Sequence, residues 1–223
     1  MSSSDLNRQL FRVRPATGDC VLVPFTPPLT TTGMAFSEDR GTVGETLYVT
    51  SSASWLTAVD TSTFTSQNIG QDAGTPLASW VGTYGSDSPP LLTGTGAGDL
   101  FAATSFLAPP GPCVAVVDAG VPPPPRKCKP ISQQPPLPPT ANIGRIDKSN
   151  GSVTTAWSVT TSLNLVPPLK GFAAWGEDFY LFVPQLSGAV VLRFRTSDQS
   201  TVEVAQTDAS VLAVGVSTCA PLP

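Results

Sequence analysis

Large apolar residues alternate with polar residues in short stretches along most of the chain, and clusters of Ser, Thr, Asn, Asp or Gly separate these stretches. A clear example is Val191-Leu-Arg-Phe-Arg195, which is followed by Thr196-Ser-Asp-Gln-Ser200. Alternation with a period of two places apolar side chains on one face of an extended strand, and the polar cluster is typical of a tight turn. The pattern therefore predicts an all-β protein built from short antiparallel hairpins.

The hairpin pattern is repeated. Its four copies align on one large apolar residue each: Val13, Val59, Ile146 and Phe194. Before three of the copies, a strand of small residues leads through an acidic turn into an aromatic-rich strand, and these units begin at Gly33, Thr93 and Gly171. The small-residue strand occurs once more, at residues 211–217.

Four antiparallel strands in a unit of about 40–45 residues are the pattern of a β-propeller blade. We therefore predict a small β-propeller of four blades, with five as the alternative, formed by one domain over residues 1–223. The small-residue strands suit the innermost positions, where strands crowd together at the axis. Residues 211–217 and the first hairpin would pair in one closing blade, which joins the N- and C-terminal strands and removes two exposed edges.

Residues 107–139 interrupt the repeat and hold 12 of the 24 prolines. The run Pro122–Pro125 favours a polyproline II segment, which cannot join a sheet. We interpret this insert as a surface loop. A recognition arm for an aromatic-lined groove is the alternative.

Composition and charge exclude several classes of function. The chain has no histidine, which excludes Ser-His-Asp and Cys-His catalysis and His-ligated zinc. Its net charge is -4 and its basic residues are scattered, so nucleic acid is not an expected partner. No stretch approaches the roughly 20 apolar residues that a membrane-spanning helix needs. We predict neither a metal site nor a cofactor.

Acidic residues recur at the turn between the first and second strands of each unit: Glu38, Asp39, Glu45, Asp99, Glu177 and Asp178. Two of them facing each other across the axis would suit a glycosidase, whereas a solvated rim is the simpler interpretation. Thr93-Gly-Thr-Gly-Ala-Gly98 resembles a phosphate-binding loop, but a strand rather than a helix is predicted after it, so we expect a tight turn. Asp60 and Asp147 are expected to cap their turns through their side chains.

Trp80, Tyr84 and Asp87 are the candidate ligand-binding residues. They lie in a Gly-, Ser- and Pro-rich excursion over residues 70–90. An exposed Trp and Tyr beside a carboxylate suit stacking on a sugar or a peptide. The alternative is that the aromatic residues form a satellite core beneath the loop.

The four cysteines contain no Cys-x-x-Cys pair and have no histidine nearby. An even number in a Lys-poor, Thr-, Ser- and Pro-rich chain favours two disulfides, which we predict as Cys113–Cys128 around the insert and Cys20–Cys219 across the closing blade. Free thiols in a reducing cytosol are the alternative. The first residues lack the basic and apolar regions of a signal peptide, but the composition favours an extracytoplasmic location in the periplasm, on the outer surface or in the medium.

With these repeats laid out, the chain resembles secreted or lipid-anchored, propeller-like proteins of myxobacteria. The segments that carry the resemblance include Leu10–Thr17, Gly33–Ser37, Leu92–Phe101, Ala174–Phe182 and the ending Gly215-Val-Ser-Thr-Cys-Ala-Pro221. The resemblance implies an envelope protein exported through a signal or lipoprotein leader, although this chain shows no such leader. It implies no catalytic residues.

We therefore expect a binding or scaffold module of the bacterial envelope, whose protein, peptide or glycan ligand binds where loops converge at the axial mouth. One alternative is a lyase or hydrolase that uses axial carboxylates with Arg or Tyr. Another is a structural subunit that self-assembles. Carboxylates with Tyr or Arg in one axial cavity would favour catalysis, and a mouth lined by Thr, Ser and aromatic residues would favour binding.

Replacing residues 114–127 with a short Gly/Ser linker should leave the fold intact, because loop-closure costs grow only logarithmically and a solvated proline run buries little. Thermal unfolding followed by circular dichroism checks this. A deletion variant without a cooperative transition would contradict it.

Overall fold

The computed structural model describes residues 10–14, 16–23, 31–39, 44–51, 55–70, 77, 80, 90–104, 140–161 and 169–215. Every element whose bounds it defines is a β-strand, so the all-β prediction is confirmed. β1 (Phe11–Val13) and β2 (Cys20–Leu22) form a two-stranded sheet, here called the N-terminal hairpin. The other twelve strands form three four-stranded antiparallel sheets.

Each four-stranded sheet uses four strands that follow one another in the chain. Sheet I contains β3 (Thr31–Glu38), β4 (Glu45–Ser51), β5 (Leu56–Val59) and β6 (Ser66–Ile69). Sheet II contains β7 (Leu91–Gly94), β8 (Leu100–Ala103), β9 (Thr140–Ile146) and β10 (Val153–Thr160). Sheet III contains β11 (Gly171–Trp175), β12 (Asp178–Pro184), β13 (Ala189–Arg195) and β14 (Thr201–Thr207). The order along each sheet is the order along the chain, as in a simple meander.

The N-terminal hairpin and the last hairpin of each sheet close with the same turn. The backbone N–H at the start of the turn donates to a carbonyl oxygen five residues later, at 2.9 Å in all four: Arg14 to Asp19, Asp60 to Thr65, Asp147 to Ser152 and Arg195 to Ser200. The fifth turn residue has a left-handed backbone in every copy: Gly18 (φ 74°), Phe64 (55°), Gly151 (74°) and Gln199 (56°). This geometry confirms the predicted hairpin repeat and makes β1–β2 the structural equivalent of β5–β6, β9–β10 and β13–β14.

Two of the turns are capped by an aspartate, as predicted. The backbone N–H of Ser62 donates to Asp60 Oδ1 at 2.7 Å, and that of Ser149 donates to Asp147 Oδ1 at 2.9 Å. The hydroxyl and amide of Ser62 hold the pKa of Asp60 at about 2, below the ordinary 3.8. The ionised carboxylate is therefore part of the turn.

The sheets pack through their apolar faces. Sheets II and III share a core that includes an aromatic cluster, with Phe179 stacked on Phe172 at 5.3 Å and edge-on to Phe101 at 5.0 Å between ring centroids. Sheets I and II share a second core that contains Tyr48 and Leu100. A third, smaller cluster joins β4 and β5 to Leu10, just before the N-terminal hairpin. The aromatic residues of this cluster thus pack between sheets II and III.

The first strands of the three sheets are neighbours. A side chain at Gly94 would overlap the carbonyl oxygen of Phe36, so β7 and β3 approach backbone to backbone. Two hydrogen bonds connect the first strands: the Glu38 N–H donates to the Thr95 carbonyl at 3.4 Å, and the Ala174 N–H donates to Thr93 Oγ1 at 3.0 Å. Crowding of the small-residue strands, which the sequence predicted, is therefore observed.

The predicted pairing of the N- and C-terminal strands is not seen in the part of the chain that the structure describes. Residues 211–215 are not in a strand, and β1 is hydrogen-bonded to β2 alone. Val214 instead packs against Gly171 at the start of β11. Among the described strands, none forms hydrogen bonds with both β1 and residues 211–215. The insert at 107–139 lies outside the described residues.

Substitution at the fifth turn position should change stability through the backbone alone. Gly18→Ala should destabilise the protein by about 1 kcal/mol, because an L-residue resists the left-handed conformation, and no atom lies within 4 Å of the added Cβ. Gln199→Gly should stabilise the protein by about 0.5 kcal/mol, because glycine adopts this left-handed conformation without the steric cost that an L-residue meets. Urea denaturation measures both. Gln199→Ala is the matched control and should be neutral, and equal effects of Ala and Gly at position 199 would contradict the argument.

The Asp60 cap predicts a pH dependence of stability. Because the pKa of Asp60 is lower in the folded protein, its contribution is present above the ordinary pKa of 3.8 and is lost as the pH falls toward about 2. At pH 6, Asp60→Asn should therefore have a lower melting temperature than wild type. At pH 2, the difference in melting temperature between the two proteins should be smaller. An unchanged difference at both pH values would count against this role.

Candidate functional site

A cavity of about 1100 Å³ lies where the first strands meet the N-terminal hairpin. Its walls come from residues 33–36 of β3, all of β7, residues 169–172 at the start of β11, residues 10–13, and residues 212–215. The wall is completed by Val23, Leu47, Thr61 and Phe64.

Apolar side chains dominate the cavity wall. Met34 and Phe36 line it and remain 49% and 41% exposed, so their apolar surface is available to a ligand. Gly33 and Gly94 also line it and let β3 and β7 approach closely, whereas Gly171 leaves room for the side chain of Val214. The sequence predicted the small-residue strand β3 but not the exposure of Met34 and Phe36, whose i, i+2 spacing places both on one face.

The charged groups on the wall are cationic. Arg12 on β1 and Lys170 before β11 line the cavity, together with the threonines Thr61 and Thr93, and no Asp or Glu is among the described residues of its wall. Exposed cations at the edge of an apolar cavity favour a ligand with an anionic group.

None of the six recurrent acidic residues lines this cavity, and two of them form ion pairs with a neighbouring strand. Asp99, before β8, forms an ion pair with Arg145 of β9 at 2.5 Å. Asp178, at the start of β12, lies 3.7 Å from Arg193 of β13. Both contacts are within a sheet, so at Asp99 and Asp178 the rim is paired with arginine in addition to being partly solvated.

A lysine links two sheets at the same rim. Lys148 Nζ, in the turn after β9, donates to the carbonyl oxygen of Glu38 at 2.6 Å and to Ser37 Oγ at 3.2 Å. It also lies 5.7 Å from the centroid of the Tyr48 ring. The Thr93–Gly98 segment runs from β7 through a turn into β8, as predicted, and opens no helix.

Of the three predicted ligand-binding residues, the structure describes Trp80. Its side chain is 7% exposed, and its indole Nε1 donates to Thr155 Oγ1 at 2.8 Å. It packs with Leu77 into the core between sheets I and II, beside Gly144, where a larger residue would collide with the indole ring. Trp80 therefore has the core role that was the alternative. Tyr84 and Asp87 lie outside the described residues.

Cys20 carries an exposed free thiol at the start of β2, within 3.7 Å of the Gly18 carbonyl oxygen. The predicted Cys20–Cys219 disulfide is thus not seen at Cys20. Cys113, Cys128 and Cys219 lie outside the described residues, and the Cys113–Cys128 bond stays a prediction.

Two further features are absent from the described residues. No three His, Cys, Asp or Glu residues among them are grouped so as to hold a metal ion. No helix found there is long and apolar enough to cross a membrane.

No protein-family model matches the chain, and a search of curated proteins finds no match. The resemblance to myxobacterial envelope proteins therefore stays a prediction.

Proposed function

We propose that this protein is a four-bladed β-propeller that acts as an extracytoplasmic binding or scaffold module of the bacterial envelope, with its ligand in the cavity beside the first strands. The cavity itself is the observation that carries the proposal. Three meander sheets with adjacent first strands, and a fourth hairpin with the same turn, support the propeller.

The lining of the cavity supports binding over catalysis. A lyase or hydrolase of the kind considered needs carboxylates positioned at the reacting atoms. The acidic turn residues Asp99 and Asp178 instead form ion pairs with arginines of adjacent strands, and the described wall is apolar with two cations. Such a wall suits desolvation and orientation of a ligand more than proton transfer.

The same lining favours one ligand chemistry. A glycan needs many hydrogen-bonding partners, whereas Met34 and Phe36 offer exposed apolar surface. Arg12 and Lys170 add positive charge. An apolar ligand with an acidic group, including an acidic and apolar peptide, therefore fits best.

An apolar anionic dye, 8-anilinonaphthalene-1-sulfonate, is a direct probe of this cavity. Its fluorescence should rise on binding to the native protein, and Met34→Asp and Phe36→Asp should each weaken binding by about tenfold, since each places a carboxylate beside an apolar anion. Titration at pH 7 measures the affinity, with circular dichroism to verify folding.

Leu186→Asp is the matched control, because Leu186 is fully exposed in the turn after β12 and does not line the cavity. Its affinity for the dye should equal that of wild type. Equal affinities of all three variants would show that the dye, and with it the proposed ligand, does not bind in this cavity.

A further inference from the structure

One of the four equivalent turns borders the cavity, and its left-handed residue is aromatic. Thr61 and Phe64, in the turn between β5 and β6, both line the cavity. The residues that correspond to Phe64 in the other turns, Gly18, Gly151 and Gln199, are not on the described part of its wall. The aromatic residue thus occurs at the turn that borders the cavity.

The backbone of Phe64 has a conformation that is unfavourable for a large residue. Its φ is 55°, in the left-handed region, where the Cβ of an L-residue comes too close to the following carbonyl oxygen. Glycine has no Cβ, and it occupies the equivalent position at Gly18 and Gly151. A hydrogen bond of 2.7 Å from the Phe64 N–H to the Asp60 carbonyl oxygen holds the turn in this geometry. Strained residues of this kind are concentrated at sites that contact ligands.

The side chain of Phe64 belongs both to a core cluster and to the cavity wall. It is partly buried and packs, together with Leu10, against the cluster of Leu47, Val49 and Val59. Packing against an aliphatic cluster needs an apolar side chain of suitable volume, but it does not need an aromatic one. The core role therefore explains why position 64 is apolar and leaves the aromatic ring to be explained by the cavity.

Two other phenylalanines on the wall are exposed. Phe11 of β1 is 49% exposed and Phe36 of β3 is 41% exposed, and both line the cavity with Phe64. The three residues come from segments that are distant in the sequence. Aromatic rings pack on one another edge-to-face or offset-stacked, and such a pair contributes more to affinity than its buried area alone. The wall therefore favours an aromatic ring over an aliphatic chain of similar size.

The charge of the wall adds the second part of the ligand. Arg12 and Lys170 line the same cavity, and no carboxylate among the described residues of the wall opposes them. Their positive charge attracts an anionic group. A guanidinium also stacks on aromatic rings, so Arg12 suits both parts of a ligand that combines a ring with an acid.

We propose that the cavity binds a small aromatic acid and that Phe64 is its specificity-determining residue. The ring of Phe64 contacts the aromatic ring of the ligand, while Arg12 and Lys170 attract the acidic group. The turn retains an unfavourable backbone conformation because it places this ring on the wall. This inference rests on the proposed binding function and names its ligand class.

The probes are naphthalene-2-sulfonate and decane-1-sulfonate, which have the same number of carbon atoms and the same charge. Each competes with 8-anilinonaphthalene-1-sulfonate for the full-length protein at pH 7, and the ratio of their two dissociation constants measures the preference for a ring. Phe64→Leu should lower the preference for naphthalene-2-sulfonate by about fivefold, because leucine keeps the apolar packing and the left-handed backbone but lacks the ring.

A second pair of variants separates the backbone from the ring. Phe64→Gly and Phe64→Ala both remove the ring, but glycine adopts the left-handed conformation without steric cost, so Phe64→Gly should have the higher urea midpoint of the two. Both variants should lose the preference for naphthalene-2-sulfonate as Phe64→Leu does. A role of Phe64 in packing alone would lower the urea midpoint of all three variants and leave the ratio of dissociation constants unchanged.

Gln199→Gly is the matched control for the turn. Gln199 has a φ of 56° at the equivalent position between β13 and β14, and it does not line the cavity. This variant should keep the wild-type ratio of dissociation constants although its backbone changes in the same way as that of Phe64→Gly. Circular dichroism verifies the fold of each variant, and Phe64→Leu carries the test if the smaller residues at position 64 do not fold.

Equal ratios of dissociation constants in wild type and Phe64→Leu would overturn the role of Phe64 and the aromatic ligand class with it. If the ratios are equal while Met34→Asp and Phe36→Asp still weaken binding of the dye, the binding cavity stands without Phe64 as its selector. If those two variants also bind the dye as wild type does, the proposed function falls as well.

Discussion

The close approach of the three first strands is the constraint on which the rest of the structure depends. Gly33 and Gly94 allow it, since a Cβ at either position would press on backbone atoms of the neighbouring sheet. With the first strands this close, the sheets face one another, and the aromatic and aliphatic residues of β8, β9, β12 and β13 fill the space between them. Glycine thus positions the cores without contributing apolar area itself.

The second organising feature is a charge pattern repeated across adjacent strands. An acid before or at the start of the second strand pairs with an arginine on the third, as in Asp99–Arg145 and Asp178–Arg193. Exposed pairs of this kind contribute little to stability. They help to specify the register of the second and third strands, because a shift of one residue would move each charge to the opposite face of the sheet.

These two features also account for the position of the candidate site. Where three complete sheets meet the N-terminal hairpin, the crowded first strands leave a space that no described second strand occupies. Exposed apolar residues of β1 and β3 and the side chain of Arg12 lie beside it.

The sequence by itself determined the local structure: the strands, the four equivalent turns, the Asp caps of two of them, and the small-residue first strands all follow from periodicity and residue type. Three features were decided by tertiary structure. Trp80 became a core residue because Gly144 leaves room for its ring. Asp99 and Asp178 pair with arginines on adjacent strands. Residues 211–215 form no strand, and Val214 packs on Gly171 of β11. Local patterns specify which face of a strand is apolar, but which partner covers that face, or leaves an edge open, depends on contacts between residues distant in the chain.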